Sequence, residues 1–311
     1  MASVTLSGLT RFGIGGAAQR FIETDDECVL MSTLLGEKGL WTLIGGGTNI
    51  IASDEGFAGL VLRYTGSAIS QAGAKVDVQA GAVLQNLVDY SIAHGLRGLQ
   101  TMTGIPGSVG GAVYGNAGAY GHSIMEFVTR VRFFDGVGIQ QFSNAECKFR
   151  YRESIFKRHK AWIILSVELA LGEGDPAELA AIASGIRKIR DEKYPPTMKC
   201  AGSIFKNLIL AELPPDVQSI VPEKVIREGK VPSAWFLEQV GAKGMQEGGI
   251  QVADYHANLI FNAGGGTAHE LRSLIRDLKS RVENKFGFAL EEEVQYIGFE
   301  DAQSATKSAD L

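Results

Sequence analysis

The residues best equipped for chemistry lie in three short segments far apart in the chain: Tyr151-Arg152-Glu153-Ser154-Ile155-Phe156-Lys157, Ala201-Gly202-Ser203-Ile204-Phe205-Lys206-Asn207 and Leu290-Glu291-Glu292-Glu293-Val294. Together they offer the cation, hydroxyl and carboxyl groups that a polar reaction needs. Taken singly they also read as a charged loop, a turn before an edge strand and a solvated acidic strand end. Two glycine-rich stretches accompany them, Ile44-Gly45-Gly46-Gly47-Thr48-Asn49-Ile50-Ile51 and Gly104 to Gly121. Glycine lets main-chain N–H groups approach a phosphate with no side chain in the way, and permits the positive φ angles that turn several N–H groups toward one anion. Two such loops suit a ligand with an extended phosphate bridge held from two sides, although each alone also fits a structural turn.

Neither loop matches the common nucleotide fingerprints. Asn49 stands where a P-loop needs lysine. A dinucleotide Rossmann loop opens a helix at its glycines, whereas Ile50-Ile51-Ala52-Ser53-Asp54-Glu55-Gly56 reads as a strand and a turn.

The elements that must position these groups follow from pattern. Thr24-Asp25-Asp26-Glu27 has capping-box spacing, which predicts a helix from about Asp25 to Gly36, with strands at Leu40–Ile44 and Leu60–Arg63. Strands are expected at Val76–Ala80, Phe127–Phe134 and Trp162–Leu171, and an apolar helix at Leu84–His94. Asp175-Pro176-Ala177-Glu178 predicts a helix start, and the helix runs to Lys193 before Pro195-Pro196, the main internal boundary. Thr267-Ala268-His269-Glu270 opens another helix, with Leu271, Leu274, Ile275, Leu278, Val282 and Phe286 on one face and Gly287 at its end. Glu291–Ile297 reads as a final strand and 301–311 as a loose tail.

Composition sets the bounds. At about 100–200 residues per domain, 311 residues predict two or three domains. A net charge of −5 with scattered lysines and arginines argues against nucleic-acid partners. No run approaches the ~20 apolar residues of a membrane span, and the N-terminus lacks signal-peptide features. Cys28, Cys147 and Cys200 suggest neither a disulfide framework nor zinc, and the five histidines do not cluster, so no metal is expected. A soluble, cytoplasmic setting follows.

In combination, the glycine loops and the three polar segments resemble one family over nearly the whole chain, from Thr10–Gly16 to Ile297-Gly298: the flavin-dependent UDP-N-acetylenolpyruvoylglucosamine reductases. The anchors are Gly45–Asn49, Gly104–Gly111, Asn116–Gly121, Tyr151–Ser154, Gly202–Asn207 and Leu290–Val294. The glycine loops alone indicate only the wider flavin-binding superfold, and the arginine, serine and glutamate motifs make the resemblance specific. It implies an α+β architecture: a two-subdomain FAD-binding fold of the vanillyl-alcohol-oxidase/PCMH type over 1–64 and 65–195, and a C-terminal α+β substrate-binding domain over 196–300.

The implied chemistry is hydride transfer from NADPH to non-covalent FAD and then to an enolpyruvyl group, giving UDP-N-acetylmuramate for peptidoglycan synthesis and hence cell shape and division. Arg152 matches the family arginine at the substrate carboxylate, Glu293 the glutamate beside it and Ser203 the serine that completes the reduction with a proton. Implied FAD contacts are Gly45, Gly46, Gly47, Thr48 and Asn49 in the first loop. In the second they are Ile105, Pro106, Gly107, Ser108, Gly111, Ala112, Asn116, Gly118 and Tyr120. Tyr151, Lys193, Asn207 and His256 match substrate contacts, the substrate being a UDP-sugar and the state favoured a monomer. Leu208 and Glu292 stand where proline is usual, Ser233–Gln239 replaces an Ala-Gly-Trp-Leu-Ile segment, and Leu208–Pro232 reads as an insertion over the substrate site. The competing readings are an oxidase of the same superfold, with His122 as the nearby candidate for covalent flavin attachment, and a flavin-binding module without turnover.

Overall fold

The computed structural model describes residues 4–299, and the tail expected over 301–311 lies outside them. The first sheet has the spatial order Val4–Thr5, Ala17–Thr24, Phe57–Tyr64, Trp41–Ile44. Ala17–Thr24 and Trp41–Ile44 both run parallel to Phe57–Tyr64, a geometry that requires a crossover, and helix Glu27–Gly36 supplies it. That helix begins later than the Thr24 spacing predicts. Thr24 is still paired to Tyr64 in the sheet, so Asp26 caps instead, accepting from the amides of Cys28 and Val29.

The second sheet is antiparallel, in the order Ile139–Ser143, Val128–Phe134, Ile163–Ala170, Lys75–Gln79, Ile69–Ala72. One apolar core serves both sheets, joining Leu30, Leu60 and Leu62 to Val76, Val78, Phe133 and Leu165. The glycine loops therefore hang from a single packed body.

Helix Pro176–Lys193 starts as its sequence predicts, with the Asp175 carboxylate accepting from the Glu178 amide at 2.9 Å and proline in the first turn. It buries only Leu179 and Ala183, so its last turns remain available to line a cavity. Beyond the two prolines lies a third sheet, in the order Cys200–Ser203, Leu259–Asn262, Ile250–Val252, Gln246–Glu247, antiparallel throughout. Helix Ala268–Phe286 packs on it with its whole predicted stripe buried, Thr267 forming a capping box and Gly287 closing the helix at φ 74°. The excursion Leu208–Pro232 is closed by pairing Leu208–Ile209 with Lys230–Val231, and it drives Leu213, Val217 and Val221 into the same core.

The end of the chain departs from expectation. Only Gln295–Ile297 forms a strand, and it pairs in parallel with Ile50–Ala52 of the N-terminal region. Residues 291–293 are instead occupied in crossing between the two regions. Glu292 makes an isolated bridge to Phe205, and its carboxylate takes the Lys279 ammonium at 2.7 Å and the Tyr296 hydroxyl. A second tie runs the other way, the Asp54 carboxylate accepting from the amides of Ala268 at 2.9 Å and His269 at 3.0 Å. Asp54 thus caps a helix more than two hundred residues away in sequence, beside the local Thr267 cap. Asp54→Ala is expected to cost about 1–2 kcal/mol, read as a lower denaturant midpoint at unchanged slope. An unmoved midpoint would show that this cap carries no net stability.

Candidate active site

A cavity of about 640 Å³ opens where the two glycine loops meet the third sheet. The first loop leaves the end of strand Trp41–Ile44, and the second leads into the short helix Val109–Tyr114, capped by Ser108. The loops touch. A Cβ on Gly46 would fall 2.8 Å from the Gly107 Cα, and the Thr48 hydroxyl donates to the Pro106 carbonyl at 3.3 Å. Among the described residues, the amides of Gly46, Gly47, Thr48, Asn49, Gly107 and Ser108 have no acceptor in the chain, and all six residues line the cavity. Unpaired N–H groups on both sides of one opening form a cradle for an anionic bridge.

The glycines differ in what demands them. Gly47 sits at φ +64°, and a Cβ there would lie 1.7 Å from the Leu9 carbonyl oxygen, so the chain itself excludes any side chain. A Cβ on Gly111 would meet only the Ser108 hydroxyl at 3.4 Å. Its empty side faces the ligand space.

Arg152, Ser203 and Glu293 all line the same cavity. Arg152 adopts φ +55°, a left-handed conformation uncommon for arginine. The Lys157 ammonium donates to the Arg152 carbonyl at 2.9 Å, while the guanidinium donates to the Gly118 carbonyl at 2.8 Å. Its Nε lies 2.9 Å from Glu293 Oε1, as an ion pair rather than a directed hydrogen bond, since that N–H has no acceptor in line. Burial pushes the Glu293 carboxyl above its ordinary value, against the pull of Arg152, Lys157 and Lys206. Asn49 of the first loop donates to the Glu293 carbonyl at 3.0 Å, fixing the acid to the glycine cradle. Ser203 ends strand Cys200–Ser203, its hydroxyl 3.4 Å from that of Tyr194.

The other sequence-predicted residues divide into two groups. Gly45–Asn49, Ile105–Ser108, Gly111, Ala112 and Gly118 line the cavity, whereas Asn116, Tyr120, Tyr151, Lys193, Asn207 and His256 do not. Asn116 is buried, its side chain donating to the Arg150 carbonyl at 2.8 Å and its own carbonyl accepting from Arg152 at 3.4 Å, so it braces the arginine. Tyr120 is exposed. The Tyr151 hydroxyl accepts from the Asn207 amide at 3.3 Å, and the Arg152 and Lys230 cations stand 5.1 and 5.0 Å from the Tyr151 ring centroid. Lys193 stands over the Tyr194 ring at 5.1 Å, with the His256 ring 6.3 Å from that tyrosine. Burial, with Lys193 close by, lowers the His256 pKa to about 4, leaving it neutral and its Nδ1 without a partner.

Sequence reasoning missed the arginines of the cavity. Arg11, Arg187 and Arg190 line it, and among the described residues none of the three sits in an ion pair. Burial lowers the Arg190 pKa, and its Nε has no partner. The signal was present: Arg187 and Arg190 are three apart on the helix that the double proline ends, so they share a face.

Comparison with known proteins agrees with this geometry. A family model described as an FAD binding domain matches residues 4–142, and one described as the UDP-N-acetylenolpyruvoylglucosamine reductase C-terminal domain matches residues 194–297. The UDP-N-acetylenolpyruvoylglucosamine reductase of Solibacter usitatus is 59% identical over 96% of both chains. The chain belongs to the UDP-N-acetylenolpyruvoylglucosamine reductase family. That of Carboxydothermus hydrogenoformans is 34% identical over 93% of this chain and 91% of its own. A crystal structure of the reductase from Thermus caldophilus superimposes with a TM-score of 0.75 at 27% identity, covering 95% of this chain and 98% of that one. The fold is accordingly the α+β arrangement of an FAD-binding domain followed by the reductase C-terminal domain, and the protein is an FAD-dependent oxidoreductase.

FAD fits the cavity as built: six unpaired amides stand where a pyrophosphate needs donors, and the open side of Gly111 leaves it room. Gly111→Val is expected to give soluble protein with native circular dichroism that lacks the yellow cofactor. Stoichiometric FAD in that variant would overturn the assignment. Gly47→Val is no substitute for it, because its clash with Leu9 damages the fold itself.

Proposed function

We propose that this protein reduces the enolpyruvyl double bond of UDP-N-acetylglucosamine enolpyruvate to give UDP-N-acetylmuramate, with NADPH as hydride donor, in cytoplasmic peptidoglycan precursor synthesis. The observation that carries this reading is the Arg152–Glu293 pair at 2.9 Å, sharing one cavity with Ser203 and both glycine loops. Bound FAD supplies the hydride chemistry. The chain's own groups manage the charge and the proton that this chemistry displaces.

Hydride addition beta to a carboxylate drives negative charge onto that carboxylate. Arg152 offers a cation held from three sides, by Glu293, by the Gly118 carbonyl and through its own carbonyl by Lys157. A cation already in place stabilises the developing charge without reorganising as it forms. Glu293, with its proton held more tightly than usual, shares a hydrogen bond with that charge while keeping Arg152 oriented. Ser203 gives its proton to the neighbouring carbon, whose basicity as a carbanion far exceeds that of the serine alkoxide. The substrate diphosphate is assigned to Lys193 and Asn207, which stand outside the cavity lining, the first as a cation and the second as a neutral donor, and neutral His256 serves as a polar contact rather than a charge. Among the described residues no histidine lines the cavity, and His122 is exposed and engaged with Glu126 at 2.8 Å, which supports non-covalent FAD over a covalently flavinylated oxidase.

Ser203→Ala is expected to keep FAD and normal bleaching by NADPH, while anaerobic reoxidation by the enolpyruvyl substrate slows about 10²–10⁴-fold, the usual worth of one proton-transfer group. A near-normal oxidative half-reaction would exclude the role.

The raised Glu293 pKa sets a pH signature. If the protonated carboxyl is the working form, reoxidation is fastest at low pH and falls as pH rises through a value above the ordinary glutamate range. Arg152→Ala removes a cation that pulls this pKa down, so the limb moves to higher pH in the slower variant. In Glu293→Gln the limb disappears. Its persistence there, in stopped-flow reoxidation measured across pH, would assign the titration to another group.

A further inference from the structure

Lys206 plays no part in the chemistry above, yet it is a lysine whose side chain is only 7% exposed. Its ammonium meets Glu153 Oε1 at 2.7 Å and also contacts Glu291 Oε1. The two carboxylates come from different parts of the chain. Glu153 follows Arg152 directly, Glu291 lies two residues before Glu293, and Lys206 itself lies three residues after Ser203. One buried ammonium therefore joins the segments that carry all three reacting groups.

Taking charges out of water is costly, and a buried ion pair is often no more stable than apolar residues of the same volume. What such a pair can supply is register. The main chain already pairs two of these segments, with the Lys206 amide donating to the Glu291 carbonyl at 2.9 Å and the Glu293 amide to the Ile204 carbonyl at 2.7 Å. The Arg152 segment has no such ladder. Toward the Lys206 segment it is held by Glu153, which takes Lys206 and also Lys157 at 3.1 Å, and by the Tyr151 hydroxyl on the Asn207 amide. Lys157 in turn donates to the carbonyl of left-handed Arg152. The ammonium suits this arrangement because it donates in several directions at once, unlike the planar fork of arginine.

We propose that Lys206, through Glu153 and Glu291, is the positioning residue that holds Arg152 against Glu293 and Ser203. It rests on the reductase reading above for its kinetic consequence, though not for its structural one. Substitution of Lys206 by methionine keeps the length and removes the charge. In Lys206→Met holoenzyme, bleaching by NADPH is expected at the wild-type rate, and anaerobic reoxidation by the enolpyruvyl substrate about 10–100-fold slower, as for a reacting group displaced by about an ångström. That loss should fall on the limiting rate rather than on the substrate concentration giving half of it. Adding Glu153→Gln or Glu291→Gln to Lys206→Met should then cost little more, because the three act as one unit. A lysine needed only for stability would lower the melting midpoint and leave reoxidation unchanged.

The crystal structure of the variant gives a reading that needs no turnover. The Arg152 Nε to Glu293 Oε1 separation, 2.9 Å in the native chain, should lengthen beyond ion-pair distance. If it stays at its native value and reoxidation is unchanged, the proposal is overturned. If the wild-type flavin is not reoxidised by the substrate, the reductase reading fails and the separation alone decides the positioning claim. Should Lys206→Met not fold, Glu153→Gln carries the same test. It removes the charge that ties Lys206 and Lys157 to Glu153, and Glu291 still compensates the Lys206 ammonium.

Discussion

A parallel pairing of two three-residue strands, Ile50–Ala52 and Gln295–Ile297, carries more of this architecture than its length suggests. Immediately before it the Gln295 amide donates to the Asn49 carbonyl at 2.9 Å, and the Asn49 side chain returns a bond to Glu293. The acid of the site is thereby fixed to the phosphate cradle by main-chain geometry rather than by its own side chain. A carboxylate placed through its backbone remains free to share its side chain with Arg152. Take away the strand pairing and the glycine loops, the arginine and the serine still exist, but without a common frame.

Charge is distributed around this frame unevenly. On the side of the third sheet the cations have carboxyl partners: buried Lys206 has Glu153 and the exposed Glu291, Lys279 has Glu292 and Arg152 has Glu293. Although burial alone would raise it, the hydrogen bonds from Lys206 and Lys157 hold the Glu153 carboxyl below its ordinary range. Near the second loop the charges are unmatched, with Arg190 beside Gly104 and Arg187 and Arg11 close by. Like charges that converge with no ion-pair partner among the described residues repel one another, and anionic ligands relieve that repulsion. The matched half is built for fixed geometry and the unmatched half for binding.

Much of this was legible in the sequence where a local rule governs. Asp175 and Thr267 cap as their spacing predicts, the stripe from Leu271 to Phe286 is the buried face, and the double proline ends its helix. The rule failed where a long-range demand outranked it. Thr24 could not cap because the sheet had already claimed it, and Glu291–Glu293 could not extend the last strand because the chain there is crossing between bodies. The glycine loops were readable as a pair, but not which glycines face a ligand. Only the packing separates Gly47, pressed on Leu9, from Gly111, open to the cavity. The Arg152–Glu293 pairing was legible through resemblance alone, since nothing in spacing joins residues so far apart. Lys206 was visible as a letter in a motif, and its burial was not.

The bond from Asn49 to Glu293 spans 244 positions. During synthesis, then, the nascent chain exposes both glycine loops long before the ribosome delivers the acid and the strand that seats it. The N-terminal body has its own shared core and can begin to pack early. The reaction centre closes only once Glu293 and the strand Gln295–Ile297 have been made, so a chain cut before Glu293 carries both glycine loops but neither the acid nor the strand that seats it.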